Sequence, residues 1–100
     1  MGREHSFWVY IMTNEHDRVL YIGVTNDLAR PVAKHRLGKI PGFAAGYRCR
    51  KLIYHEHTSD VHAALSREKQ LRKWSRAKKV KLIGDMNSRW CDLAYDILEE

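Results

Sequence analysis

From Ser6 to Thr13 two apolar sets alternate, Trp8, Tyr10 and Met12 against Phe7, Val9 and Ile11. Strand side chains point alternately to opposite faces, so this run predicts a central strand with neighbours on both sides. Asn14 to Arg18 is a polar loop, and Val19 to Val24 returns as a second strand. The two make a hairpin in which Tyr10 approaches Tyr21 across the sheet. Thr25-Asn26-Asp27 then supplies turn and helix-cap chemistry, and Leu28, Val32 and His35 mark one face of a helix. That helix ends near Leu37-Gly38, where glycine favours termination. Ile40 to Tyr47, with Pro41, Gly42 and Gly46, reads as a loop, and Arg50 to His57 as a third strand around Leu52-Ile53-Tyr54.

Thr58-Ser59-Asp60 caps a helix running from about Val61 to about Arg76. Its apolar stripe is Val61, Ala64, Leu65 and Leu71, and Glu68 falls in the middle of it. A carboxylate there is costly unless it is paired, protonated or bound to a cation; pairing with Arg72, four residues on and on nearly the same face, is one alternative. Lys78 to Ile83 and Asp92 to Leu98 are helical in pattern, with Met86-Asn87-Ser88-Arg89-Trp90 as the turn between them. The element order is β-β-α-β-α-α. Repeats, low-complexity tracts and linkers are absent, which predicts one domain over residues 1–100 with its core at about 7–95.

Composition narrows the class of partner. A chain of 100 residues buries about 60–65% of its unfolded surface. It has no apolar run long enough for a transmembrane helix, and the start Met-Gly-Arg-Glu-His lacks the apolar core of a signal peptide. Cys49 and Cys91 are single and far apart, which suits a reducing, cytoplasmic setting and argues against a thiolate zinc site. A net charge of +6 favours an anionic partner, nucleic acid first and acidic lipid second, with no membrane insertion. Eight cations crowd one stretch: Arg67, Lys69, Arg72, Lys73, Arg76, Lys78, Lys79 and Lys81, opposed only by Glu68. They predict phosphate-backbone binding, which Arg48, Arg50 and Lys51 extend. Nothing in the sequence suggests base readout, so binding is expected to be salt-sensitive and weakly sequence-specific. His55 and His57 share a strand face, a spacing open to a metal pair but commoner for solvated histidines.

Trp8-Val9-Tyr10 and Tyr21-Ile22-Gly23 resemble the paired signature of the GIY-YIG nuclease superfamily, in its small stand-alone bacterial form. The second element is intact; the first keeps only its tyrosine. Thr25-Asn26-Asp27-Leu28, the stretch Arg67-Glu68-Lys69-Gln70-Leu71-Arg72-Lys73-Trp74 and Met86-Asn87 are similar too. The resemblance implies an α+β fold, a three-stranded antiparallel sheet flanked by helices. It implies phosphodiester hydrolysis in nucleic acid, DNA ahead of RNA, with one Mg²⁺ or Mn²⁺. On that view Glu68 is the metal ligand, Tyr10 and Tyr21 position or deprotonate the attacking water, and His35 is an auxiliary base. Asn87 then holds the network together by hydrogen bonds.

The family also places a charge-stabilising arginine ten residues after the tyrosine of YIG, and here that position is Pro31. Losing one such donor costs about 3 kcal/mol, roughly a hundredfold in rate. Arg30, one residue early, is the replacement candidate if the helix begins at Pro31 and leaves Arg30 in the turn. Two readings stay open: a metal-dependent endonuclease of reduced activity, and a catalytically inactive nucleic-acid-binding module that keeps the nuclease fold. A third is a protein-interaction surface built on Trp74, Trp90 and the C-terminal helix.

Overall fold

The computed structural model describes residues 5–39 and 46–98. The middle strand, β1 (Phe7–Thr13), pairs antiparallel with β2 (Leu20–Thr25) on one side and β3 (Lys51–Thr58) on the other. Helix α1 (Ala29–Arg36) follows β2; α2 (Val61–Lys73), α3 (Arg76–Met86) and α4 (Ala94–Leu98) follow β3. This is the α+β architecture expected from the sequence; the first six described elements follow the expected β-β-α-β-α-α order, and the short α4 comes after them. The loop assigned to Ile40–Tyr47 lies largely outside the described residues.

Two apolar faces on β1 require two covers, and the helices divide accordingly. Val9, Ile11 and Ile22 pack with Ala64 and Leu71 of α2 and Ile83 of α3. On the opposite face Tyr10, Met12 and Leu52 pack with Leu28, Val32 of α1 and Ala94 of α4. The β1–β3 register slips between Ile11, opposite Tyr54, and Met12, opposite Leu52. Ile53 is the extra residue of this bulge, which lets the consecutive Ile53 and Tyr54 both join the first core.

Several boundaries differ from the sequence expectation. Asp60 caps α2 as expected, accepting from the His62 amide at 3.0 Å. The helix stops at Lys73, however, and not near Arg76. Trp74 and Ser75 take extended backbone angles, and the Ser75 hydroxyl accepts from the Lys78 amide at 3.3 Å to start α3. A serine cap is enough to restart a helix without proline or glycine. Val61 and Leu65 are exposed, while Ala64 and Leu71 are buried. The α2 stripe is therefore narrower than its apolar residues suggested.

Helix α1 starts at Ala29, not at Pro31, with Leu28 at the cap position and no side-chain cap. The first-turn amides have no acceptor within a helix, so Pro31 in that turn removes no hydrogen bond. Thr25 does make the expected turn, its hydroxyl accepting from the Asp27 amide at 3.1 Å. Gly38 ends the helix region at φ +70°, a left-handed conformation that glycine adopts freely. Asp92 sets the start of α4: its Oδ1 accepts from the amides of Ala94 and Leu52, and its Oδ2 binds Arg36.

Candidate active site

Strand register brings the first site residues together. Tyr10 stands opposite Gly23, and Tyr21 opposite Met12, so the two tyrosines share a sheet face as diagonal neighbours. Gly23 is what lets Tyr10 lie down. A Cβ at residue 23 would come within 2.5 Å of Tyr10 Cζ and of its hydroxyl. The ring therefore crosses the backbone of β2, an edge strand, and carries its hydroxyl toward the rim of the sheet. The tyrosine ring centres are 6.4 Å apart.

Helix α1 adds His35 from its buried face, with ring centres 5.0 Å from Tyr21 and 6.2 Å from Tyr10. His35 Nδ1 lies 2.9 Å from the Cys49 carbonyl oxygen. A carbonyl only accepts, so Nδ1 carries the proton and Nε2 holds the lone pair. Nε2 is buried and has no hydrogen-bond partner among the described residues. Burial lowers the pKa of His35, opposed in part by the bond to Cys49. The imidazole is thus a neutral base with its acceptor nitrogen free. Burial, then the neighbouring Tyr21 and Glu68, drive the Tyr10 pKa well above its ordinary value, so Tyr10 stays a phenol.

Glu68 arrives from the other side of the sheet. It sits on α2 between buried Ala64 and Leu71, its side chain 15% exposed, and its Oε2 is 2.7 Å from Arg72 Nη2. The same Nη2 donates to the Ile22 carbonyl on β2 at 3.4 Å. Arg72, Lys79, Leu20, Tyr21 and Ile22 line a cleft of about 340 Å³ along this strand. Tyrosines from one face and the Glu68–Arg72 pair from the other therefore meet along β2.

The other residues singled out in the sequence lie elsewhere. The exposed Arg30 guanidinium donates to Asn26 Oδ1 at 3.0 Å, and Pro31 supplies no cation. Asn87 is buried; its Nδ2 donates to the carbonyls of Ile53 (3.1 Å) and Cys91 (2.8 Å), and its Oδ1 accepts from the Cys91 amide (3.0 Å). These bonds tie β3 to the turn before α4 and touch none of the tyrosine cluster. Arg67 binds Glu56 at 2.9 Å and lies over Trp74 at 5.2 Å, while Glu56 also accepts from Tyr54. Arg76 donates to the carbonyls of Asp17 and Arg18, pinning the β1–β2 loop. Lys78 stands over Trp74 at 5.7 Å. Lys69, Lys73 and Lys79 make no ion pair among the described residues. Much of the basic run thus serves packing, and fewer cations stay free than the sequence suggested.

Cys49 had no signal in the sequence, because it acts through its backbone carbonyl. The cysteines stay free, Cys49 buried and Cys91 exposed. His55 and His57 form no metal cluster: among the described residues no group of three or more His, Cys, Asp or Glu side chains converges. No described helix is long and apolar enough to cross a membrane.

Tyr10 of the central strand, Tyr21 of the edge strand, His35 of α1 and Glu68 of α2 thus gather on an α+β sheet. Residues 6–81 match the profile of the GIY-YIG catalytic domain, and the chain belongs to that family. Its relatives include a UPF0213 protein of Natronomonas pharaonis, 33% identical over 85% of this chain and 96% of the relative. A UPF0213 protein of Bacillus pumilus is 31% identical over 83% of this chain and 84% of its own. The solution NMR structure of a UPF0213 protein from Bacillus halodurans shares the fold, with a TM-score of 0.57 and 23% identity over 90% of this chain and 95% of that one.

Proposed function

We propose that this protein is a phosphodiester hydrolase acting on nucleic acid, with DNA the preferred substrate, and that the cleft along β2 is where it cuts. Family membership supports a nuclease-like function tied to nucleic acid. The observation that carries the reading is the convergence of Tyr10, Tyr21 and a neutral His35, whose Nε2 is buried without a partner among the described residues, beside Glu68 and Arg72.

In this scheme the proton that the attacking water loses as its oxygen bonds to phosphorus passes by way of the Tyr21 hydroxyl, at the cleft, to the buried His35 Nε2. The bond from phosphorus to the leaving oxygen breaks as that bond forms, and the leaving oxygen, which departs with the electron pair, takes a proton from solvent. Cys49 keeps the imidazole in the required tautomer. The Tyr10 phenol, held protonated by burial, donates a hydrogen bond within the site, and Tyr21 orients the water. Arg72 and Lys79 line the cleft, supplying cations that residue 31 does not, and Arg72 holds Glu68 beside it. A single carboxylate fits Mg²⁺ or Mn²⁺, since such ions keep several waters and take few protein ligands. Glu68, whose charge reaches Tyr10, is the residue that would hold it. The ion would supply Lewis acidity toward a phosphate oxygen. The two free thiols suit a reducing compartment, and we place this single-domain protein in the cytoplasm.

The second reading, a non-catalytic binding module, is favoured by Pro31 and by the Arg30 guanidinium turned toward Asn26. Incubating labelled single-stranded, duplex and branched DNA, and RNA, with Mg²⁺ or Mn²⁺ separates the two. Cleavage is expected, falling about a hundredfold in Glu68→Gln and in Tyr21→Phe. Cleavage unchanged in both variants overturns the site assignment. Salt-dependent binding without cleavage selects the binding module.

A further inference from the structure

A second cleft, of about 450 Å³, opens where β1 runs into Asn14 and β3 begins at Lys51. Its walls carry Arg36, Arg48, Arg50 and Lys51 against two carboxylates, Glu15 and Asp92. Asp92 is committed to Arg36 and to the amides of Leu52 and Ala94, and Lys51 pairs with Asp17 at 2.7 Å. Arg48 and Arg50 are exposed and make no ion pair among the described residues. Arg36 Nε is buried there without a hydrogen-bond partner among them, a donor that stability alone does not explain.

The backbone reinforces the point. Arg48 has φ +55°, a left-handed conformation that glycine or asparagine fills more easily. Arg48 keeps its place on the cleft wall in spite of that conformation. Arg48 and Arg50 flank Cys49, which is 1% exposed and whose carbonyl accepts the His35 Nδ1 proton. The segment therefore shows two arginines to solvent while its middle residue orients the candidate base.

We infer that this cleft binds a phosphate of the nucleic-acid strand other than the one being cut, and that binding there fixes the segment that orients His35. The inference rests on the hydrolase reading and gives it a substrate class: a polynucleotide strand long enough to reach both clefts, not a dinucleotide. Two guanidiniums in reach of one phosphate suit it better than an isolated carboxylate, because the bidentate geometry matches and the charge is larger.

Two measurements on the full chain test this, both without metal. In the first, inorganic phosphate is titrated while backbone amide signals are followed by NMR. Saturable shifts are expected at Cys49, Arg50 and His35, and none in Arg48→Gln/Arg50→Gln. In the second, binding of a fluorescent single-stranded oligonucleotide is followed by anisotropy against salt. The double variant is expected to lower the slope of log affinity on log salt by about 1, one phosphate contact. An unchanged slope, or phosphate shifts that persist in the variant, overturns the inference. Saturable phosphate binding by a protein that binds no oligonucleotide leaves the anion site standing and removes the polynucleotide and the hydrolase reading. Both substituted residues are exposed, so the variants test the site and not the fold.

Discussion

Replacing Gly23 with alanine is the sharpest test of how the site is assembled. The added methyl would meet Tyr10 Cζ and Oη at 2.5 Å and Cε1 at 2.9 Å, well inside contact distance. The obstacle is a rigid ring, not a flexible side-chain end, and Tyr10 is only 4% exposed, with Tyr21 and His35 around it. Overpacking of this kind costs about 1–3 kcal/mol, and two close contacts on one ring argue for the upper end. Alanine recovers about 0.5–1 kcal/mol by restricting the unfolded chain. The balance is a loss of about 2 kcal/mol, or about 8–16 °C in melting temperature for a domain of this size. Urea unfolding of the single variants and of Gly23→Ala/Tyr10→Leu measures it. Leucine has no atoms where the methyl must go, so the double variant should be more stable than the sum of the singles predicts by about 1 kcal/mol or more. Gly23→Ala within 0.5 kcal/mol of the parent would refute the claim that the glycine makes room for the tyrosine.

Two further outcomes follow from the buried polar groups. Burial lowers the pKa of His35 and of His55 below the ordinary 6.5, so the unfolded chain binds protons that the folded chain refuses. Their stabilisation is present above pH 6.5 and is lost as pH falls through the lowered folded values, by up to about 1.4 kcal/mol per pH unit for each histidine. The urea midpoint should drop between about pH 7.5 and pH 5, and drop less in His35→Gln; an equal drop in that variant refutes the assignment. Asn87→Ala strands the Ile53 and Cys91 carbonyls and the Cys91 amide, and should cost about 2–4 kcal/mol in urea unfolding. A cost below about 1 kcal/mol would mean that water replaces the side chain freely.

The elements that local pattern controls were legible. Period-two alternation gave β1 and its central place, the hairpin return gave β2, the β-rich Leu52-Ile53-Tyr54 gave β3, and Asp60 marked the start of α2. Ser75 was also a readable signal, an N-cap residue within a basic helical run, but a continuous helical pattern hid it. The helix expected after Asp27 starts at Ala29, and only the conditional start at Pro31 fails: pre-proline sterics argue against a helical Arg30, whereas the first turn accommodates Pro31 at no cost in hydrogen bonds. Apolar residues alone could not say that Val61 and Leu65 face solvent, since which sector of a helix is covered depends on its rotation over the sheet.

The site divides along the same line. The sequence by itself placed Tyr10, Tyr21, His35 and Glu68 in order along the chain and marked Glu68 as a misfit in an apolar stripe, because residue type and spacing are local facts. Only the tertiary structure decided where the cations go. Arg67 and Arg76 are drawn into contacts with Glu56 and the β1–β2 loop, while Arg72 and Lys79 reach the cleft beside Tyr21. The His35 tautomer depends on a carbonyl fourteen residues away, and the reach of Tyr10 depends on a missing Cβ across the strand pair. Such contacts join residues distant in sequence through backbone atoms common to every residue type, and spacing along the chain carries no trace of them.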